Sequence, residues 1–97
     1  MIWGLKKLDD LVYKIAFTPN AERQFKKIKV TNRSLTKKIE KAFDILSQNP
    51  FRGKFLTGEL KGYHSYRIGN FRIIYEIIHK QIIVLILKID KKGSVYN

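Results

Sequence analysis

The chain has 97 residues, which is enough for one domain with a modest hydrophobic core. Its 20 Lys and Arg against 8 Asp and Glu give a net charge of +12, while 44% of the residues are hydrophobic and none is cysteine. This composition excludes a disordered chain and a disulfide or sulfur-based zinc framework, and it predicts a polyanionic partner, with nucleic acid first and an acidic protein second.

The N-terminal region divides into an extension and the start of a domain. Residues 1–11 carry Trp3 and several leucines on one side of a predicted short helix, and they are expected to dock on the domain or on a partner. Residues 12–97 are expected to form a single domain. In residues 12–17 the large side chains Tyr13, Ile15 and Phe17 alternate with Lys14 and Ala16, which predicts the first strand of the domain.

Two helices follow this strand. Thr18 and Pro19 form a helix start, with a capping hydroxyl and a proline in the first turn. Thr31 or Asn32 can cap a second helix, which the Asn49–Pro50 step ends. Its outer face is basic, and we expect it to bind RNA through Arg33, Lys37, Lys38 and Lys41. An ordinary solvated face is the competing interpretation.

The second half of the chain reads as a loop followed by strands. Residues 51–63 are loop-like, and strands are predicted near 64–69, 71–78 and 82–89. The last strand is apolar on both faces, so it should lie centrally in its sheet. The predicted fold is therefore α+β, with an N-terminal strand, a two-helix hairpin and an antiparallel three-strand meander in one twisted sheet that has its helices on one face.

The most informative local feature is a predicted β-hairpin at residues 66–75. Gly69 and Asn70 suit a two-residue turn, and in that register Arg67 lies opposite Arg72 on one face. Two like charges directly opposite each other repel, and an anion between them removes that cost. Either the pair binds phosphate, or both arginines are simply solvated. On this basis, replacing Arg72 should relieve repulsion and leave the fold intact.

The remaining side chains favour chemistry without a metal or cofactor. His64 and His79 are the only histidines, and neither has a metal-ligand spacing with another His or acidic residue. Arg, Lys and Tyr are left, and this set suits cleavage of RNA, whose 2′-hydroxyl is its own nucleophile. Fixed cations would stabilise the charge that develops on the phosphorus.

The residue order then resembles a known group. The Leu60-Lys61-Gly62 step, the hairpin Tyr66-Arg67-Ile68-Gly69-Asn70-Phe71-Arg72-Ile73-Ile74-Tyr75 and the tail Lys91-Lys92-Gly93-Ser94-Val95-Tyr96 together resemble the RelE/ParE toxin superfamily, and the tail resembles its RelE-like branch. The resemblance implies a cytoplasmic toxin of a type II toxin–antitoxin module that cleaves mRNA on the ribosome.

The resemblance also implies catalytic roles for four residues. Arg72 matches the hairpin arginine of the RelE-type site, and Arg67 occupies a position that is usually basic there. Lys92 stands where an arginine commonly stabilises phosphate, and Tyr96 matches a tyrosine that contacts the nucleotide. Lys91 joins the residues expected to bind RNA.

One position departs from the family pattern. Gly69 stands where some RelE enzymes carry a lysine proposed as general base, so His64, Lys91 or Tyr96 would have to replace it, or the chain cleaves weakly. The expected partners are a cognate acidic antitoxin, the ribosome and mRNA, with no membrane, and the free toxin is expected to be monomeric. The alternatives are a ParE-like inhibitor of DNA gyrase without nuclease activity, and a degenerate toxin that mainly binds its antitoxin.

Overall fold

The computed structural model describes residues 12–91. It contains one mixed five-stranded sheet in the order β1-β5-β4-β3-β2 and two helices. The strands and helices, in chain order, are β1 (Lys14–Phe17), α1 (Pro19–Thr31), α2 (Arg33–Gln48), β2 (Lys54–Phe55), β3 (His64–Ile68), β4 (Phe71–Ile78) and β5 (Ile83–Lys91). Among the strands of residues 12–91, the β1–β5 pair alone is parallel, because the helices form a crossover between β1 and the rest of the sheet.

Short polar signals set both helices, as the sequence predicted. The Thr18 hydroxyl accepts a hydrogen bond from the Ala21 amide at 3.1 Å, and Pro19 occupies the first turn of α1. Asn32 ends α1, and its side-chain oxygen accepts from the Leu35 amide at 3.0 Å to begin α2. Asn49 and Pro50 follow the last residue of α2.

The helices cover one face of the sheet, and the core lies between the helices and the sheet. α2 contributes its apolar stripe, in which Ile39 and Leu46 are fully buried. The central strands contribute Ile73, Val84 and Ile86, which are also fully buried. This layer leaves the opposite face of the sheet without helical cover, so side chains that alternate onto that face are available for function.

Two features of the sheet go beyond the predicted meander. β5 is a central strand, as predicted, but its second neighbour is the parallel strand β1. β2 is a two-residue strand inside the segment predicted to be a loop, and it pairs antiparallel with β3. A strand of two residues has no alternating pattern of side chains, so sequence periodicity cannot predict it. The helices of the described region are too short or too polar to cross a membrane.

Candidate functional site

The hairpin arginines lie where the sequence predicted. Arg67 pairs with Arg72 across β3 and β4, and Ile68 pairs with Phe71 at the turn. Phe71 packs against the core beneath the helices, so the alternation of β4 places Arg72 on the opposite, helix-free face. Arg67 is exposed, while the side chain of Arg72 retains 21% of its accessible surface.

The sequence did not predict that an acidic residue on the neighbouring strand β5 would face the arginine pair. Asp90 on β5 lies directly opposite Arg72, and a carboxylate oxygen is 3.8 Å from Arg72 Nη2. The same carboxylate is 3.4 Å from Lys88 Nζ. Asp90 therefore compensates part of the charge of Arg72, so replacing Arg72 would remove an attractive ion pair as well as the repulsion from Arg67. The Nε of Arg72 is buried and has no hydrogen-bond partner among the described residues.

The arginines border an open cleft of about 560 Å³ on the helix-free face. Two further cations, Arg52 and Lys54, line the same cleft, and so does Ser65. Lys54 pairs with Ser65 in the β2–β3 ladder and so shares a face with Arg67, two residues further along β3. The sequence reasoning missed Arg52 and Lys54, because their approach to the hairpin depends on how residues 50–55 fold back onto the sheet.

A buried tyrosine fixes that segment. Tyr75 on β4 is fully buried, and its hydroxyl donates to the Pro50 carbonyl at 2.6 Å and accepts from the Gly53 amide at 3.1 Å. Burial raises the pKa of Tyr75 to about 12, so the hydroxyl keeps its proton. Position 53 also needs glycine, since a Cβ there would lie 2.2 Å from the tyrosine oxygen and 2.7 Å from the Ser65 carbonyl.

The hairpin turn explains the departure at position 69. Gly69 has a φ of +57°. The first central residue of a tight two-residue turn requires such a positive φ, and residues other than glycine rarely adopt it. A lysine at this position would be strained in so short a turn. The turn that sets Arg67 opposite Arg72 therefore also excludes the lysine that some RelE enzymes carry.

His64 does not lie beside the arginines. It pairs with Tyr75 in the β3–β4 ladder, on the face opposite Arg67, and its ring stacks on the Tyr75 ring with centroids 5.4 Å apart. Burial and, secondarily, the nearby His79 lower the pKa of His64. The candidacy of His64 as general base at the arginine pair was therefore wrong.

The other predicted residues are spread over the molecule. The basic residues of α2 are exposed, as predicted, but α2 covers the face opposite the cleft, so they do not form one site with the hairpin arginines. They also share their surface with the exposed acids Glu40 and Asp44. The positions concerned are Arg33, Lys37, Lys38 and Lys41.

The C-terminal candidates are only partly described. Lys91 ends β5 in register with Phe71, adjacent to the Arg72–Asp90 pair. Lys92, Tyr96 and the predicted N-terminal extension at residues 1–11 lie outside the described residues. No three or more His, Asp or Glu side chains of residues 12–91 are grouped so that they could hold a metal ion.

Known proteins resemble this chain in sequence over most of its length. The family model described as the ParE toxin of the type II toxin–antitoxin system parDE matches residues 15–96. The chain belongs to the RelE/ParE toxin superfamily. This toxin is 38% identical to the toxin RelG of Mycobacterium tuberculosis over 88% of its own length and 97% of the relative's. It is 33% identical to the toxin RelE of the same organism, over 92% of this chain and 91% of the relative.

Solved structures agree with this assignment. The toxin–antitoxin complex RelBE2 from Mycobacterium tuberculosis contains a chain with a TM-score of 0.72 and 38% identity, and the match covers 84% of this toxin and 92% of that chain. A YoeB/ParE toxin from Agrobacterium tumefaciens has the same TM-score of 0.72 at 19% identity, covering 80% of this toxin and 96% of that chain. The second likeness shows the shared fold.

Proposed function

We propose that this type II toxin is a ribosome-dependent mRNA endoribonuclease that works without a metal ion. The observation that carries the proposal is the opposed pair Arg67 and Arg72 beside a cationic cleft on the helix-free face. Arginine is the side chain best shaped to hold a phosphate through two parallel hydrogen bonds. The unpartnered Nε of Arg72 supplies one buried donor for such an anion.

The reaction needs little beyond positioned charge. The 2′-oxygen of one nucleotide attacks the adjacent phosphorus and loses its proton, while the bond from phosphorus to the 5′-oxygen of the next nucleotide breaks. The 5′-oxygen takes up a proton, which leaves a cyclic phosphate and a free 5′-hydroxyl. In this proposal Arg67 and Arg72 stabilise the extra negative charge on the phosphorane.

The tail completes the site in this proposal. Lys92 stabilises phosphate or protonates the leaving oxygen, and Tyr96 contacts the nucleotide, as the resemblance to RelE-type enzymes implies. Because His64 lies on the other face, Lys91 and Tyr96 are the general-base candidates left from the sequence. In this proposal one of these two side chains takes the proton of the 2′-hydroxyl as that oxygen attacks the phosphorus.

The proposed partners follow from charge and from the relatives. The RelBE2 relative was solved as a toxin–antitoxin complex, and so was the intact E. coli RelBE. We therefore propose that an acidic antitoxin binds this toxin and masks its cations, since a net charge of +12 favours an acidic chain. Ribosomal RNA is the second polyanion that this charge attracts.

Cleavage of mRNA on purified ribosomes tests the proposal. Wild-type toxin should produce breaks that primer extension maps to the ribosome-bound codon, and Arg72→Ala should lower the rate by roughly 10²- to 10³-fold, the scale for losing one positioned donor. Lys80→Ala is the matched control, because Lys80 is an exposed cation outside the cleft. Intact mRNA with wild-type toxin, or full activity of Arg72→Ala, would contradict the proposal.

The ParE-like reading keeps one observation in its favour, namely that the matching family model is described as a ParE toxin. A gyrase inhibitor would block DNA supercoiling by purified gyrase and leave ribosome-bound mRNA intact. A degenerate toxin would do neither and would still bind its antitoxin. The two assays therefore separate all three functions.

A further inference from the structure

We infer that Arg52 and Lys54 form a second phosphate site, which binds a neighbouring phosphate of the single-stranded RNA whose scissile phosphate lies at Arg67 and Arg72. This inference rests on the proposed ribonuclease function and assigns substrate contacts to residues 50–55. Both residues are exposed and line the cleft that the hairpin arginines border.

The register places the two cationic pairs at a suitable separation. Lys54 pairs with Ser65, and Arg67 is two residues further along β3 on the same face. Diagonal neighbours of this kind have Cα atoms about 7–8 Å apart. Lys54 and Arg67 can therefore contact different phosphates of one RNA strand, while Arg67 and Arg72, which lie directly opposite each other, can share one phosphate.

The charge balance of the cleft favours an anionic occupant. Asp90 is the acid paired with Arg72 and with Lys88. Among the described residues, no ion pair involves Arg52, Lys54 or Arg67. A concave surface lined by cations without matching acids focuses positive potential, and a bound polyanion removes their mutual repulsion. One phosphate suffices for the hairpin pair, so the second pair calls for a second phosphate.

The segment is held in place before any ligand arrives. The Tyr75 hydroxyl bridges the Pro50 carbonyl and the Gly53 amide, the two positions on either side of the Phe51–Arg52 step. The Arg52 amide donates to the Asn49 carbonyl at 3.1 Å, and Lys54 is already paired in the ladder with β3. Backbone fixed in this way loses little conformational entropy when the cations bind a strand.

The cleft fits a single RNA strand better than a folded duplex. The cleft is an open groove of about 560 Å³ beside an edge strand, which admits a single chain of nucleotides. A single-stranded RNA oligonucleotide is therefore the probe, and its affinity is measured by fluorescence anisotropy across a series of salt concentrations. Each lost phosphate contact should lower the slope of log affinity against log salt by about 0.7 for a single strand.

The test compares two double variants of equal charge. Arg52→Gln/Lys54→Gln removes the contact to one phosphate and should lower the salt slope by about 0.7. It should raise KM about tenfold or more for ribosome-bound mRNA, with kcat near the wild-type value. Lys27→Gln/Lys80→Gln removes two exposed cations outside the cleft and should leave both quantities unchanged. Arg52→Lys/Lys54→Arg keeps the charges and should keep the slope.

The outcomes separate this inference from the function on which it rests. An unchanged slope in Arg52→Gln/Lys54→Gln, an equal loss in the control, or no measurable oligonucleotide binding by the wild type would overturn the second phosphate site. If the wild type does not cleave mRNA and yet the slope falls only in the cleft variant, the phosphate site stands and the ribonuclease proposal fails. Thermal melting of each variant checks that the fold is retained.

Discussion

The Tyr75→Phe variant removes one oxygen atom from the middle of the sheet. Tyr75 is fully buried, and its hydroxyl makes hydrogen bonds of 2.6 Å to the Pro50 carbonyl and 3.1 Å from the Gly53 amide. Phenylalanine keeps the ring that stacks on His64, so packing changes little. The variant therefore isolates the two hydrogen bonds that hold residues 50–53 against the sheet.

The expected cost follows from what the substitution leaves behind. Each hydrogen bond contributes about 0.5–1.5 kcal/mol net, and a buried group left unpaired costs about 1–3 kcal/mol. Pro50 is buried, while Gly53 is half-buried and can reach water if the loop shifts. We therefore expect the free energy of unfolding to fall by about 2 kcal/mol. For a domain of this size that lowers Tm by roughly 8–16 °C.

Urea unfolding and thermal melting followed by circular dichroism measure this loss. Tyr63→Phe is the control, since the Tyr63 hydroxyl makes no hydrogen bond to a described residue. Burial raises the pKa of Tyr75 from the ordinary value of 10.0 to about 12. The stability that the neutral hydroxyl contributes is therefore complete below pH 10 and is lost progressively as the pH rises from 10 to about 12. A Tm for Tyr75→Phe within about 1 °C of wild type would refute the reasoning.

Three further predictions concern other parts of the molecule. Replacing the exposed α2 lysines Lys37, Lys38 and Lys41 by Ala should weaken ribosome binding. The slope of log affinity against log salt should fall by up to about one unit per phosphate contact, and an unchanged slope would show that this face is only a solvated surface. Deleting residues 96–97 should lower mRNA cleavage about 10²-fold with little change in Tm, and undiminished toxicity would favour the gyrase reading. Because the fold lowers the pKa of His64, the unfolded chain binds more protons than the folded chain below pH 6.5. The free energy of unfolding should therefore fall as the pH drops through 6.5, and this pH dependence should be weaker in His64→Phe. Urea unfolding at about pH 7.5 and about pH 5.5 measures both.

Local chemistry was readable from the sequence. The caps at Thr18 and Asn32 and the end of α2 before Pro50 depend on neighbouring residues alone, and the structure confirms all three. The register of Arg67 with Arg72 was also predictable, because a two-residue turn at Gly69 leaves no other pairing for the flanking strands. Superfamily membership followed from the same hairpin and its neighbouring motifs.

Only the tertiary structure decided what surrounds the arginines. Asp90 faces Arg72 in the β4–β5 ladder, whose register shifts where β5 bulges at Leu87, and hydrophobic periodicity does not locate such a shift. Arg52 reaches the cleft because a hydroxyl on Tyr75, far along the chain, binds the Pro50 carbonyl. Contacts between residues so distant in sequence depend on how whole elements pack, and periodicity and turn signals report only on their near neighbours.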